Sequence, residues 1–159
     1  MQMSLSRALV DLGDVLAPAL LNKQEKERLP ATLQRSPAKA QATYIHTLES
    51  AEEEHGNGAA AHQIAFASLK HSFEKVGDHW EAKDVRGPSD DQDAKIGVDA
   101  RENPTETAGG VNARATKTHL LGLARRLDIA GRSRMTKSEL VEAIDKANRA
   151  ATAKAARND

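Results

Sequence analysis

The sequence predicts an all-α protein, and three observations support this fold class. The apolar residues are mostly Ala and Leu, and they recur at intervals of three and four, which is the period of an amphipathic helix. Aromatic residues make up only 3% of the chain, and Gly, Ser, Thr, Asn and Asp interrupt the apolar pattern. The 159 residues would fit one domain or two small ones, and the sparse aromatic content argues against one large core.

Composition and periodicity divide the chain into five segments. These are an N-terminal amphipathic helical segment (1–28), a helical domain (29–83), a flexible acidic linker (84–112), a basic helical module (113–149) and an Ala-rich tail (150–159). The apolar stripe from Leu5 to Leu20 predicts a helix interrupted at Pro18 that docks on the rest of the protein. Self-association, or docking in a partner's groove, is the alternative for this stripe.

The first half of the 29–83 domain carries clear helix boundaries. Ser36 is expected to cap a helix that Pro37 opens at its first position. This helix should run to about His55 and end at Gly56-Asn57-Gly58, since glycine favours the backbone geometry that terminates helices.

A second helix is predicted from Ala59 to Val76, with Gly77 as its C-terminal cap. Trp80 follows the cap and is expected to fold back into the core. The expected buried face consists of Ala61, Ile64, Ala65, Leu69 and Phe73, with Phe66 at its border.

The 29–83 segment resembles the ChaB family, whose members are often labelled cation transport regulators. The residues that carry the resemblance are Leu29-Pro30, Ser36-Pro37, Ala40-Gln41, Tyr44, Ala51, His62 to Ala67, Lys70-His71, Phe73, Lys75 to Asp78, Trp80 and Lys83. The resemblance implies a small helical domain with a short hairpin at its ends. The first helix departs from the family pattern, because Leu48, Glu52 and His55 stand where large aromatic residues are usual.

Charge is distributed unevenly along a chain that is neutral as a whole, with 23 basic and 23 acidic residues. Residues 112–159 contain eleven Lys or Arg and five Asp or Glu, whereas residues 84–111 contain three and seven. A basic module at one end of a neutral chain is typical of contact with a polyanion such as DNA or RNA. An ordinary solvated basic face is the alternative.

The basic module is predicted to contain two short helices joined by an extended loop. The first should run from Lys117 to about Leu127 with Thr116 as its cap, and Ile129 should anchor the loop. The second should open with a capping box formed by Thr136 and Glu139. The expected core residues are Leu120, Leu123, Ala124, Leu127, Ile129, Met135, Leu140, Val141, Ile144 and Ala147.

The order of helix, loop and capped helix is similar to the N-terminal module of the Rho termination factor and to SAP modules. This resemblance covers about residues 115–147 and implies nucleic-acid contact. Basic side chains beside a helix N-terminus favour phosphate binding with little sequence preference, because no aromatic residue is present for base stacking. The predicted nucleic-acid contacts are Arg132, Arg134, Lys137, Arg125, Arg126, Lys117 and Ser133.

Several classes of chemistry lack a sequence signal. The absence of cysteine excludes disulfides and thiolate zinc sites and is compatible with a cytoplasmic location. The spacing of the six histidines does not supply the three or four ligands that zinc requires, so we expect no metal, no cofactor and no enzymatic activity. No apolar run has the length of a membrane span.

Two function classes therefore remain after the sequence analysis. The favoured one is nucleic-acid binding through the C-terminal module, with the N-terminal helix and the ChaB-like domain as parts for protein contact or self-association. The alternative is a non-enzymatic regulator that acts through protein–protein interaction, for instance on cation transport.

Overall fold

The computed structural model describes residues 20–90, residue 94 and residues 108–159. Its described part is mostly helical, with one two-stranded antiparallel sheet. The N-terminal stripe from Leu5 lies outside the described residues, except for its last member, Leu20, which is exposed. The element bounds are α1 Lys23–Glu27, α2 Ala31–Gln34, α3 Ala38–His55, α4 Ala59–Ser72, β1 Phe73–Val76, β2 His79–Ala82, α5 Lys117–Arg126, a 3-10 turn Arg132–Arg134 and α6 Lys137–Asn158.

Helix α3 ends at His55, as predicted, but it begins at Ala38, one residue after the predicted start at Pro37, which is its N-cap. Gly56 ends the helix with a φ of 77°, a left-handed value that glycine adopts without strain. The prediction that Ser36 caps α3 is wrong, since no side chain caps this helix. The Ser36 hydroxyl instead donates to Thr32 O at 2.7 Å and accepts the Trp80 backbone N–H at 2.8 Å, so it ties the hairpin to the helices.

Helix α4 ends at Ser72, four residues before the predicted end at Val76. Phe73–Val76 forms strand β1, and Gly77 with Asp78 makes the turn into β2, so the prediction that Gly77 caps a helix is also wrong. Phe73 continues the spacing of the α4 stripe, which is why helical periodicity alone cannot locate this boundary. Trp80 is 3% exposed within the core, as predicted, although it reaches that core from a strand. The prediction that Ile64 is buried is wrong: it is 37% exposed, because the buried face of α4 is the narrow stripe of Ala61, Ala65 and Leu69.

The buried apolar residues form two clusters. The first unites α2–α4 and the two leucines that flank α1, Leu21 and Leu29, with one side of the hairpin, and its largest fully buried side chain is Tyr44. The second contains the predicted stripe of the C-terminal module, Leu120, Leu123, Ala124, Leu140 and Ile144, together with Val76 and Val111. Leu127, Ile129, Met135 and Val141 are partly buried against it. The capping box of Thr136 and Glu139 is confirmed, with bonds of 2.7 and 3.3 Å.

Helix α6 continues to Asn158, so the Ala-rich tail extends the helix of the C-terminal module. Asp159, which follows the last residue of α6, accepts a hydrogen bond of 2.9 Å from Arg35 Nη1. The Nε atom of Arg35 lies 3.1 Å from Asp78 Oδ2 in the hairpin turn. The two helical parts of the chain therefore contact each other in the structure. The sequence pattern predicts two separate modules and carries no signal for this contact.

Candidate functional site

The β-hairpin separates the two apolar clusters because side chains alternate between the faces of a strand. Phe73 and Trp80 lie on the inner face, within the N-terminal apolar cluster. Glu74, Val76 and Glu81 lie on the opposite face, which we call the outer face, and Val76 belongs to the C-terminal cluster. Each half of the described chain therefore packs against one face of the hairpin.

Helix α5 pairs two polar side chains with the carboxylates of the outer face. His119 Nε2 lies 2.7 Å from Glu74 Oε1, and Arg126 Nη1 and Nη2 donate to Glu81 at 3.0 and 2.6 Å. Residues seven apart lie on the same side of a helix, two turns from each other. His119 and Arg126 therefore lie on the same side of α5, and each reaches one glutamate of the outer face.

The two glutamates of the outer face have opposite environments although they are direct cross-strand partners. Burial raises the pKa of the Glu74 carboxyl, whose side chain is only 4% exposed, and His119 offsets part of this increase. The bonds from Arg126 hold the pKa of the more exposed Glu81 carboxyl below its ordinary value. A carboxylate pair of this kind would repel if His119 and Arg126 were absent.

The free edge of β1 is covered by backbone and side-chain groups from the C-terminal half. The Lys75 N–H donates to Gly110 O at 2.9 Å, and the Lys75 carbonyl accepts from Asn148 Nδ2 at the same distance. Asn148 Oδ1 also accepts the Gly77 N–H at 2.6 Å. These bonds satisfy the strand edge and its turn, so this edge is not open to another chain.

A cavity of about 400 Å³ lies beside the outer face, between the hairpin and the beginning of α5. Its walls include Glu74, Asn112 and His119, and residues 83–88 and 114–116 complete its lining. The size is within the range of pockets that hold small molecules.

The predicted nucleic-acid contacts fall into two groups. Arg126 is engaged by Glu81, and Arg132 donates to Ile129 O at 2.9 Å. The exposed basic members that form no ion pair with any residue the structure describes are Lys117, Arg125, Arg134 and Lys137. Ser133 is also exposed.

The N-terminus of α6 is occupied by a side chain of the chain itself. Glu139 Oε2 accepts the Thr136 N–H at 2.7 Å, and this backbone bond lowers the pKa of the Glu139 carboxyl. A carboxylate already meets the positive end of the helix dipole there, so a phosphate would have to compete with it.

Among the residues that the structure describes, no group of three His, Asp or Glu side chains is arranged to hold a metal ion. The same residues include no helix of the length and apolar character needed to cross a bilayer.

Sequence reasoning missed the residues that join the two halves, Glu74, His119 and Asn148. Asn148 follows Leu140 and Ile144 at intervals of four, so its position in the apolar stripe was a usable signal for a buried polar contact. Glu74 and His119 carry no comparable signal, because their pairing depends on how α5 packs on the hairpin.

This geometry defines a small helical protein in which a β-hairpin links an N-terminal helical core to a C-terminal helical pair. Residues 29–83, the segment that ends just after β2, match the model of the ChaB family. No curated protein and no solved structure matches the chain significantly.

Proposed function

We propose that the protein is a non-enzymatic regulator that acts through protein–protein interaction, with cation transport as the process it serves. The match of residues 29–83 with the ChaB family is the observation that carries this proposal. The ChaB-like segment supplies the interaction part, and the C-terminal helices complete the outer face of its hairpin.

The state of the basic residues supports this proposal over nucleic-acid binding. Arg126 is neutralised by Glu81, and Glu139 already bonds the N-terminus of α6. Two features that would favour a phosphate are thus used within the protein.

Site-specific photo-crosslinking in the source cell tests the proposal. The photoreactive residue is placed at Ile64 or Ala67, which are exposed on α4, and separately at Arg134 or Lys137. We expect a discrete protein adduct from the α4 positions, identified by mass spectrometry as a transport component. The proposal fails if these positions give no protein adduct and cation efflux is unchanged in cells lacking the protein.

Nucleic-acid binding is a second candidate. It is favoured by Arg125, Arg134 and Lys137, which are exposed and form no ion pair within the part of the chain that the structure describes. The similarity of residues 115–147 to Rho N-terminal and SAP modules belongs to this candidate. The full-length chain and its Arg134→Ala/Lys137→Ala variant are compared for binding to duplex DNA and single-stranded RNA across a salt series. Two lost phosphate contacts should reduce the slope of log K against log salt by about 2.

The matched control for this measurement is Lys23→Ala/Lys26→Ala, which removes two exposed charges from α1. Equal salt slopes for the two double variants would show nonspecific charge attraction and would remove the candidate.

A further inference from the structure

Two residues that line the cavity beside the outer face each have a buried acceptor atom whose hydrogen-bonding capacity is unused. Glu74 Oε2 and Asn112 Oδ1 are both buried, and neither accepts a hydrogen bond from any residue that the structure describes. Both residues line the cavity. A buried oxygen without a donor is costly, so two of them at one cavity indicate a ligand that donates hydrogen bonds.

The charged neighbours of Glu74 cannot fill this role, because their donors are used elsewhere. The His119 ring meets the other carboxylate oxygen, Oε1. The Lys83 ammonium donates to Lys70 O, Gly87 O and Ser89 Oγ at 3.0, 2.6 and 3.1 Å. An ammonium group has three N–H donors, so these bonds account for all of them.

The mouth of the cavity, in contrast to these acceptor atoms, has groups that attract a negative charge. Arg86 and Arg114 line it and are exposed, and Thr116 places the N-terminus of the ten-residue helix α5 at the same wall. Arginine side chains and a helix N-terminus attract a carboxylate. Asp84 is the acidic residue at this mouth, and its carboxylate lies 3.8 Å from His119 Nδ1.

We propose that this cavity binds a small zwitterion, with its ammonium group on Glu74 and Asn112 and its carboxylate at Arg86 and the start of α5. Amino acids and short ω-amino acids belong to this chemical class. Because Glu74 lies on β1 and Asn112 precedes α5, the bound molecule connects the two halves of the chain. The proposal is independent of the partner and process proposed above.

Titration of the full-length, ¹⁵N-labelled protein at constant ionic strength tests the site. The probes are 4-aminobutyrate, propylamine, which has only the ammonium group, and butyrate, which has only the carboxylate. We expect saturable shifts of the amide signals of residues 112–119 with 4-aminobutyrate. Its affinity should exceed that of either half-molecule by about tenfold, since a hydrogen bond to a charged group contributes about this factor.

Three variants locate the contacts. Glu74→Gln should weaken 4-aminobutyrate binding by about tenfold, and Arg86→Gln should weaken it while leaving propylamine binding unchanged. Glu81→Gln is the matched control, because Glu81 is the cross-strand partner of Glu74 and does not line the cavity. Asn112→Ala provides a second test of the ammonium contact if Glu74→Gln fails to fold.

Two results would overturn the proposal. One is the absence of any saturable shift with 4-aminobutyrate at concentrations well above the millimolar range. The other is equal affinity for 4-aminobutyrate and for either half-molecule, because a zwitterion site must use both charged groups.

Discussion

Asn148 is a polar residue in the apolar stripe of α6, and it is fully buried. Both ends of its amide are used, one by the Gly77 N–H and the other by the Lys75 carbonyl. A buried amide with both bonds satisfied adds specificity to packing, since any shift of the helix would leave backbone groups of the hairpin without partners.

Asn148→Ala should lower the free energy of unfolding by about 2–4 kcal/mol, because it leaves two backbone groups of the hairpin unpaired in a dry site. Urea denaturation followed by Trp80 fluorescence measures the change. Asn158→Ala, at the exposed end of the same helix, is the control and should be neutral. A loss below about 0.5 kcal/mol for Asn148→Ala, the range of ordinary surface changes, would contradict the role assigned to this side chain.

The pair of Glu81 and Arg126 makes a pH-dependent contribution to stability. The pKa of Glu81 is lowered in the folded state, so its stabilising effect is complete above its ordinary value of 4.5 and is lost as the pH falls through the lower folded value. Because Glu81 is partly exposed, we expect a contribution of only about 0.5–1 kcal/mol.

Urea unfolding of the wild type and Glu81→Gln between pH 7 and about pH 3 measures this contribution, since that interval spans the ordinary carboxyl pKa. The stability difference between the two proteins should be largest at neutral pH and should disappear in acid. A difference that does not change with pH would rule out the ion pair as its source.

The hairpin is the element that sequence periodicity located least well. The run Phe73-Glu74-Lys75-Val76 is too short to distinguish a strand from the end of a helix. The two-residue Gly77-Asp78 turn between Val76 and His79 was the available signal, because Gly-Asp between two apolar-containing runs is typical of a hairpin.

The bounds of α3 and α5 and the capping box of α6 could be predicted, since caps and breakers are local signals. The pairing of Glu74 with His119 and the cavity beside this pair could not be predicted from the sequence, because they depend on residues 45 positions apart in the chain.

Two glycines provide a test of how the C-terminal segment covers β1. A Cβ added at Gly110, where φ is +96°, would lie 2.8 Å from Trp80 Cη2 and 3.0 Å from Lys75 Cβ. Gly110→Ala should therefore cost about 2 kcal/mol or more, from backbone strain and overpacking. Gly122→Ala, in the open middle of α5, should stabilise the protein by about 0.5–1 kcal/mol. Thermal unfolding of both variants measures these changes. If Gly110→Ala does not destabilise the protein, the result contradicts the close approach at Gly110.

At the scale of the whole molecule, the C-terminal helical pair has a core that its own residues do not complete. Val76 enters that core from the hairpin, and Val111 enters it from the segment before α5. Two short helices bury little apolar surface alone, so contact with the outer face makes a substantial addition to their stability. This dependence implies that the N-terminal core and the C-terminal helices unfold together.

The most direct test of this claim is urea unfolding of the full-length chain followed at both halves in the same samples. Fluorescence of Trp80, the single tryptophan, reports on the N-terminal core, and amide NMR intensities of α5 and α6 report on the C-terminal pair. We predict coincident midpoints, and we predict that Val76→Ala lowers both midpoints together. The account would be contradicted if the α5 and α6 signals were lost at a lower urea concentration than the Trp80 transition and Val76→Ala shifted only one of the two midpoints.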